Sequence, residues 1–249
     1  MSKMKSVIKI AEKIKRKATD LYNQSPVTIA FLGDSVTHGV FEIYPQKTGL
    51  TIPSFDAECV YHTYLKKMIN DVFPGVHLNI INAGINGGNA LDSLERLDRD
   101  VLRFKPDLTV VCFGLNDSTR GINGIDIYKE SLEAVFERLK ASGSDVIFMT
   151  PNMFNTQISI HLTDENLIKY AEMFMKIQNE GIMDKYMDAA RSVCMKNSIP
   201  ICDCYSKWKK LYEWGADVTG LLSNYLNHPN RQMHYLFASS LFETIFFDK

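Results

Sequence analysis

Five short stretches of this chain are nearly continuous in apolar, β-favouring residues: Val27–Leu32, Val76–Ile81, Leu108–Phe113, Val146–Met149 and Ile199–Cys202. A strand with one wet face alternates apolar and polar residues; a strand covered on both faces does not. The runs therefore predict strands buried inside a parallel sheet. Helical stripes separate them. Ala57, Val60, Tyr61, Tyr64, Leu65, Met68, Ile69 and Val72 recur at i, i+3 and i+4 after the first run, and Leu91, Leu94, Leu97 and Val101 follow the second. Tyr128, Leu132, Val135, Phe136 and Leu139 follow the third. A long helical stretch from Asp164 to Asn197, with a break at Gly181, follows the fourth, and Tyr235, Ala238, Leu241, Phe242 and Ile245 form a last stripe. Alternating strands and helices predict right-handed βαβ units with helices on both faces of the sheet. The expected fold is α/β, a three-layer α/β/α sandwich of the doubly wound kind, as one domain over residues 1–249.

Composition removes several function classes. The chain carries 28 basic and 29 acidic residues, a net charge of -1, which gives no electrostatic footprint for nucleic acid. No apolar run approaches the roughly 20 residues that span a bilayer. The five cysteines are odd in number and sparse, so a disulfide scaffold is not expected, and the spacing of Cys202 and Cys204 does not suggest zinc. Lysines interrupt the N-terminal segment, which lacks the apolar core of a signal peptide. Its apolar positions, Met4, Val7, Ile8, Ala11, Ile14, Ala18 and Leu21, predict an amphipathic helix over about residues 4–22. A cytoplasmic protein is expected.

In doubly wound sheets, ligands sit at the carboxyl ends of the strands. The first run is followed by Gly33-Asp34-Ser35-Val36-Thr37-His38-Gly39, and the second by Asn82-Ala83-Gly84-Ile85-Asn86-Gly87-Gly88-Asn89. The third is followed by Gly114-Leu115-Asn116-Asp117, and Asn227-His228-Pro229-Asn230 precedes the last helix. A serine, a glycine-rich turn, an asparagine and a histidine thus converge on one rim. Acyl transfer needs such a set. A serine hydroxyl needs a base to take its proton, a histidine serves near neutral pH, and the tetrahedral intermediate needs donors aimed at its oxyanion. Ser35 and His228 are the expected catalytic pair. The backbone N–H groups of Ser35 and Gly87 and the side-chain amide of Asn116 are the expected oxyanion hole.

The four blocks resemble those of the SGNH hydrolases, also called the GDSL esterase/lipase family. Gly33-Asp34-Ser35 is similar to the first block, Asn82–Gly87 to the second, Gly114–Asp117 to the third and His228-Pro229-Asn230 to the last. The resemblance implies a flavodoxin-like five-stranded parallel sheet, a serine esterase working through an acyl-enzyme, no cofactor and no metal. No G-x-S-x-G elbow surrounds Ser35, so an α/β-hydrolase fold is not expected.

One departure stands out. The family usually has an aspartate three residues before the histidine, where this chain has Tyr225. That acid accepts the Nδ1–H, fixes the tautomer and stabilises the imidazolium. A main-chain carbonyl near Asn224 or Tyr225 is the expected substitute, with the Asn224 side-chain oxygen and Asp217 as the other candidates. Asp34 is expected to fix the nucleophile turn, His38 is a rival base or a cleft-lining residue, and His234 is read as packing. Trp208 and Trp214 are read as core.

Two long connections, Val40–Asp56 and Pro151–Thr163, are expected to overhang the serine as binding loops. Their mixed aromatic and polar content suits a short acyl group on a polar alcohol, such as an acetylated carbohydrate. Lysophospholipase or thioesterase chemistry and acyl transfer to an alcohol are the alternatives within this mechanism. Outside it stand a flavin-nucleotide protein, with Ser35–Gly39 around a phosphate, and a ligand-binding relic that has lost its acid. The expected partner is a small-molecule ester; the oligomeric state is open.

Overall fold

The computed structural model describes residues 9–48 and 50–247. The chain opens on α1 (Ile10–Thr19), then β1 (Val27–Gly33), the single-turn α2 (Ser35–His38), β2 (Val40–Pro45), β3 (Thr51–Phe55), α3 (Tyr61–Val72) and β4 (Leu78–Gly84). It continues through α4 (Ala90–Asp100), β5 (Leu108–Cys112), the short α5 (Leu115–Ser118), α6 (Ile125–Ala141) and β6 (Asp145–Met149). It ends on α7 (Glu165–Asn179), α8 (Ile182–Asn197), β7 (Ile201–Cys202), α9 (Cys204–Glu213) and α10 (His234–Phe246).

All five expected strands are present and pair in parallel, in the order β4-β1-β5-β6-β7. Every residue of β5 is buried, as its unbroken apolar run demands. Numbered within this sheet alone, the order is 2-1-3-4-5, the flavodoxin-like arrangement. The chain winds to one side of β1 through β4 and to the other through β5, so the crevice opens at the carboxyl end of β1. α3 and α10 pack together, as do α4, α6 and α8, which covers the sheet with helices. Gly181, at φ +71°, takes the left-handed turn that divides the expected long helix into α7 and α8.

Three expectations change. The N-terminal helix begins at Ile10 and stops at Thr19; Leu21 lies beyond it, and Met4, Val7 and Ile8 lie outside the described residues. The connection Val40–Asp56, expected as a long binding loop, carries an antiparallel hairpin of β2 and β3. Trp208 is buried, but Trp214 is exposed. Among the described residues no helix is long and apolar enough to cross a membrane, and no group of three potential metal ligands exists.

Candidate active site

The nucleophile turn is built by close approach. A Cβ on Gly84 would lie 2.2 Å from the backbone nitrogen of His38, so only glycine at the end of β4 lets α2 seat against it. Asp34 caps α2, its Oδ1 accepting the Val36 N–H at 3.0 Å. Its other carboxyl oxygen is buried without a hydrogen-bond partner among the described residues, and burial raises the acid to about 7. Asp34 therefore fixes the turn, as expected. Beneath it, the Arg96 guanidinium donates to the Ala83 carbonyl at 2.6 Å and the Gly33 carbonyl at 3.0 Å, tying the ends of β4 and β1 together.

This frame brings Ser35 to His228. Nε2 of His228 lies 2.9 Å from the Ser35 Oγ, and both residues are buried. The pair lines a cavity of about 300 Å³ that also contains Asn86, Gly87 and Asn116. Asn116 donates one amide hydrogen to the Gly88 carbonyl at 2.8 Å, which leaves the other free to point into the cavity. Asp117 accepts the Ala90 N–H at 3.0 Å and so ties the loop after β5 to the start of α4. Gly87 has φ +77°, a backbone shape that favours glycine. Among the described residues, neither the Ser35 N–H nor the Gly87 N–H donates to a protein acceptor. Three donors from the ends of three adjacent strands therefore border one cavity with the hydroxyl–imidazole pair.

The group facing His228 Nδ1 is not the expected one. The carbonyl 3.1 Å away belongs to Phe41, on β2 and distant in sequence. Tyr225 turns elsewhere: its φ is +57° and its ring stacks on His161 at 5.2 Å. Asp217 receives the Gln157 amide at 3.2 Å and the Gly220 N–H at 3.1 Å. Asn224 does reach Nδ1, but with its amide nitrogen, at 3.1 Å. Its oxygen accepts the N–H groups of Leu226, Asn227 and His228. With no acid beside it, burial lowers His228 to about 4; the Phe41 carbonyl and the Glu42 charge oppose this.

The other histidines have other partners. His38 accepts the Asn86 N–H at 3.2 Å through Nδ1 and packs on Phe55, so it braces the loop after β4 from outside the lining of the Ser35 cavity. His234 is fully buried, accepts the Tyr61 N–H at 3.1 Å and packs on Phe41 and Phe237. Pro151–Thr163 contributes nothing to the Ser35 cavity; its residues Gln157–His161 line a separate, polar cavity of about 500 Å³ with Asp217 and Tyr225. Leu167, Tyr170 and Phe174 of α7 provide the apolar wall near Ser35 instead. Their helical spacing was readable, but only as a face packed on something.

A flavodoxin-like sheet with a serine–histidine pair and convergent donors at its switch point defines the SGNH hydrolase class. The chain belongs to the GDSL-like Lipase/Acylhydrolase family, whose model matches residues 31–236. It is 28% identical over 133 residues to an acetylxylan esterase of Geobacillus stearothermophilus, a match covering 49% of this chain and 58% of that relative. The chain thus spans little more than half the length of that curated relative. In fold it resembles the solved acetylxylan esterase of Geobacillus stearothermophilus, at 20% identity and TM-score 0.66, covering 90% of this chain and 95% of that one. It also resembles a two-domain esterase active on acetylated mannans, at 18% identity and TM-score 0.66, covering 97% of this chain and 53% of the other. Catalytic mutants solved for the Geobacillus enzyme replace a serine, a histidine and an aspartate three residues before that histidine. In this chain Tyr225 stands three residues before His228.

Proposed function

We propose that the protein is a serine esterase that cleaves carboxylic esters through an acyl-enzyme. The observation that carries this reading is the 2.9 Å contact between His228 Nε2 and Ser35 Oγ, in a cavity bordered by Gly87 and Asn116. His228 Nε2 takes the hydroxyl proton as Oγ attacks the ester carbonyl. The N–H groups of Ser35 and Gly87 and the Asn116 amide receive the negative charge that develops on the carbonyl oxygen. The imidazolium then gives its proton to the departing alkoxide, which leaves as the alcohol. Water attacks the acyl-Ser35 ester, with His228 as base, and releases the acid. The chemistry uses only side chains and backbone donors, so we propose that no cofactor or metal takes part.

The substrate we propose is a short-chain ester, foremost an acetyl ester of a carbohydrate. Both relatives named above act on acetylated glycans by their descriptions. The cavity volume, about 300 Å³, lies at the small end of ligand sites. From it a surface runs past Ile43 and Leu167 to the stacked His161 and Tyr225, and on to Asp217 and Gln157. That path offers ring faces and hydroxyl partners to a polar alcohol. The five free cysteines support a cytoplasmic, reducing location.

A fluorophosphonate probe tests the chemistry. One covalent adduct by intact mass on the wild type, and none on Ser35→Ala, is the expected result. An unlabelled wild type overturns the esterase reading. Acetylated xylo- and manno-oligosaccharides compared with long-chain acyl esters then test the substrate: preference for long chains would reject the carbohydrate assignment.

A further inference from the structure

The Phe41 carbonyl does a task that elsewhere falls to a carboxylate, and the hairpin alone does not hold it. β2 pairs with β3 at Val40 and again from Ile43 onward, and the register breaks between those points. Phe41 and Glu42 therefore sit in an irregular stretch without register partners. Such irregularities re-aim groups beside active sites, and they need support from elsewhere.

That support comes from Arg231, three residues past His228. Its guanidinium makes a forked pair with Glu42, at 2.6 and 3.2 Å, and its Nε donates to Asp56 at 2.8 Å. The same guanidinium covers the Phe41 ring, 4.4 Å from the centroid. Asp56 is anchored in turn, its N–H donating to the Gly39 carbonyl at 3.0 Å. Three contacts from one planar cation thus hold both residues of the irregular stretch and tie them to Asp56, just past β3.

The position of this carbonyl has a chemical consequence. Nδ1 of His228 lies between an acceptor, the Phe41 carbonyl, and a donor, the Asn224 amide, each 3.1 Å away. If Nδ1 carries the proton and donates to Phe41, Nε2 is bare and can take the Ser35 proton. If Nδ1 accepts from Asn224, Nε2 carries the proton and cannot act as base. Charge assists a later step: the Glu42 carboxylate that Arg231 holds favours the imidazolium formed once Nε2 has taken the proton.

We propose that Arg231 is a positioning residue: by clamping Glu42, Asp56 and the Phe41 ring, it holds the Phe41 carbonyl against His228 and selects the tautomer that leaves Nε2 free as base. The catalytic consequence rests on the acyl-transfer reading above, but the tautomer does not.

The test uses full-length protein with ¹⁵N-labelled histidine. Long-range ¹H–¹⁵N correlations report which nitrogen of His228 carries the proton at neutral pH, with or without turnover. The wild type should show protonated Nδ1. Arg231→Ala should move the population toward protonated Nε2 and lower kcat on a small aryl acetate by about 10- to 100-fold, with KM changed less than about twofold. Arg231→Lys, which keeps the charge but not the fork, should recover part of kcat. Glu42→Gln, the gentler change should Arg231→Ala fail to fold, should move the acid limb of the kcat–pH profile down. Glu42 is the charge that bears on this ring and His234 the neighbouring imidazole, and only Glu42 changes in that variant. A folded Arg231→Ala protein that keeps protonated Nδ1 overturns the proposal, as does Glu42→Gln with an unmoved limb. A wild type with the expected tautomer but no fluorophosphonate adduct would defeat the esterase reading and leave the clamp standing.

Discussion

Asn224 presents its amide nitrogen, not its oxygen, to Nδ1 of His228, at 3.1 Å. The orientation is fixed because the oxygen already accepts three backbone N–H groups at 3.0 to 3.1 Å. Asn224→Asp would keep those three bonds on one oxygen and put the second where the nitrogen now lies, next to Asn227 Oδ1. That oxygen now accepts from the Asn224 nitrogen at 2.9 Å, and the Asn227 amide would turn to donate instead. A carboxylate would then face Nδ1 and oppose the burial that lowers His228 to about 4. The expected outcome is a rise in kcat of about tenfold, because a hydrogen bond to a charged acceptor exceeds one to a neutral acceptor by about 1–1.5 kcal/mol. The acid limb of the kcat–pH profile should move up with it. Unchanged kcat and an unmoved limb would show that Nδ1 already has the stabilisation it needs.

Asn116 gives the second prediction. Its amide is held by the Gly88 carbonyl at 2.8 Å, so the hydrogen aimed into the cavity is pre-oriented. Such a donor acts chiefly on the charged intermediate. Asn116→Ala should lower kcat by about 10²- to 10³-fold with little change in KM. Steady-state kinetics on an aryl acetate check this, and a change confined to KM would remove Asn116 from the oxyanion hole.

Gly84 and Gly87 separate two uses of glycine. At Gly84 an added Cβ would sit 2.2 Å from backbone, whereas at Gly87 it would meet nothing within 4 Å. Gly84→Ala must displace α2 and should unfold the protein or cost several kcal/mol. Gly87→Ala suffers only the left-handed backbone cost of about 1–2 kcal/mol, and it should melt as a folded protein. Urea or thermal unfolding of both variants decides the matter; equal losses would contradict the close approach of α2 to β4.

The central strands were legible because burial on both faces leaves continuous apolar runs, as in Leu108–Cys112. β4 departs from that expectation, since it lies at the sheet edge with Asn79 and Asn82 exposed. Ser35, Gly87, Asn116 and His228 were legible because each follows a strand or precedes the last helix in a short, ordered block. The β2–β3 hairpin was not, since its pairing is short and interrupted and Pro45 and Pro53 read as loop residues. Phe41 was invisible for a more basic reason: a carbonyl acts through its position, which residue identity does not encode. Arg231 is one charged residue among 28 basic ones, and only the fold brings it to Glu42 and Asp56.

Buried titratable groups predict how stability varies with pH. Burial lowers His62 and His228 to about 4 and His234 to about 3, against about 6.5 in an unfolded chain. Below about pH 6.5 the unfolded chain therefore takes up three protons that the native state refuses, and stability falls with pH. Burial raises Asp34 to about 7 and Asp117 to about 6, so these carboxyls act in the opposite sense. Their contribution is complete below the unfolded carboxyl range and is lost as pH rises through 6 and 7. Between pH 5 and 6 the native state holds two carboxyl protons against three histidine protons on the unfolded chain, a net of about one. Asp34→Asn mimics the protonated acid at every pH and removes one of the two opposing carboxyls. The variant should melt higher than the wild type at pH 8, where the wild type carries a buried charge. It should lose that advantage on acidification, with a slope of stability against pH about twice the wild-type slope between pH 5 and 6. Thermal melts from pH 5 to 8 check both features, and parallel curves for the two proteins would place the Asp34 proton elsewhere.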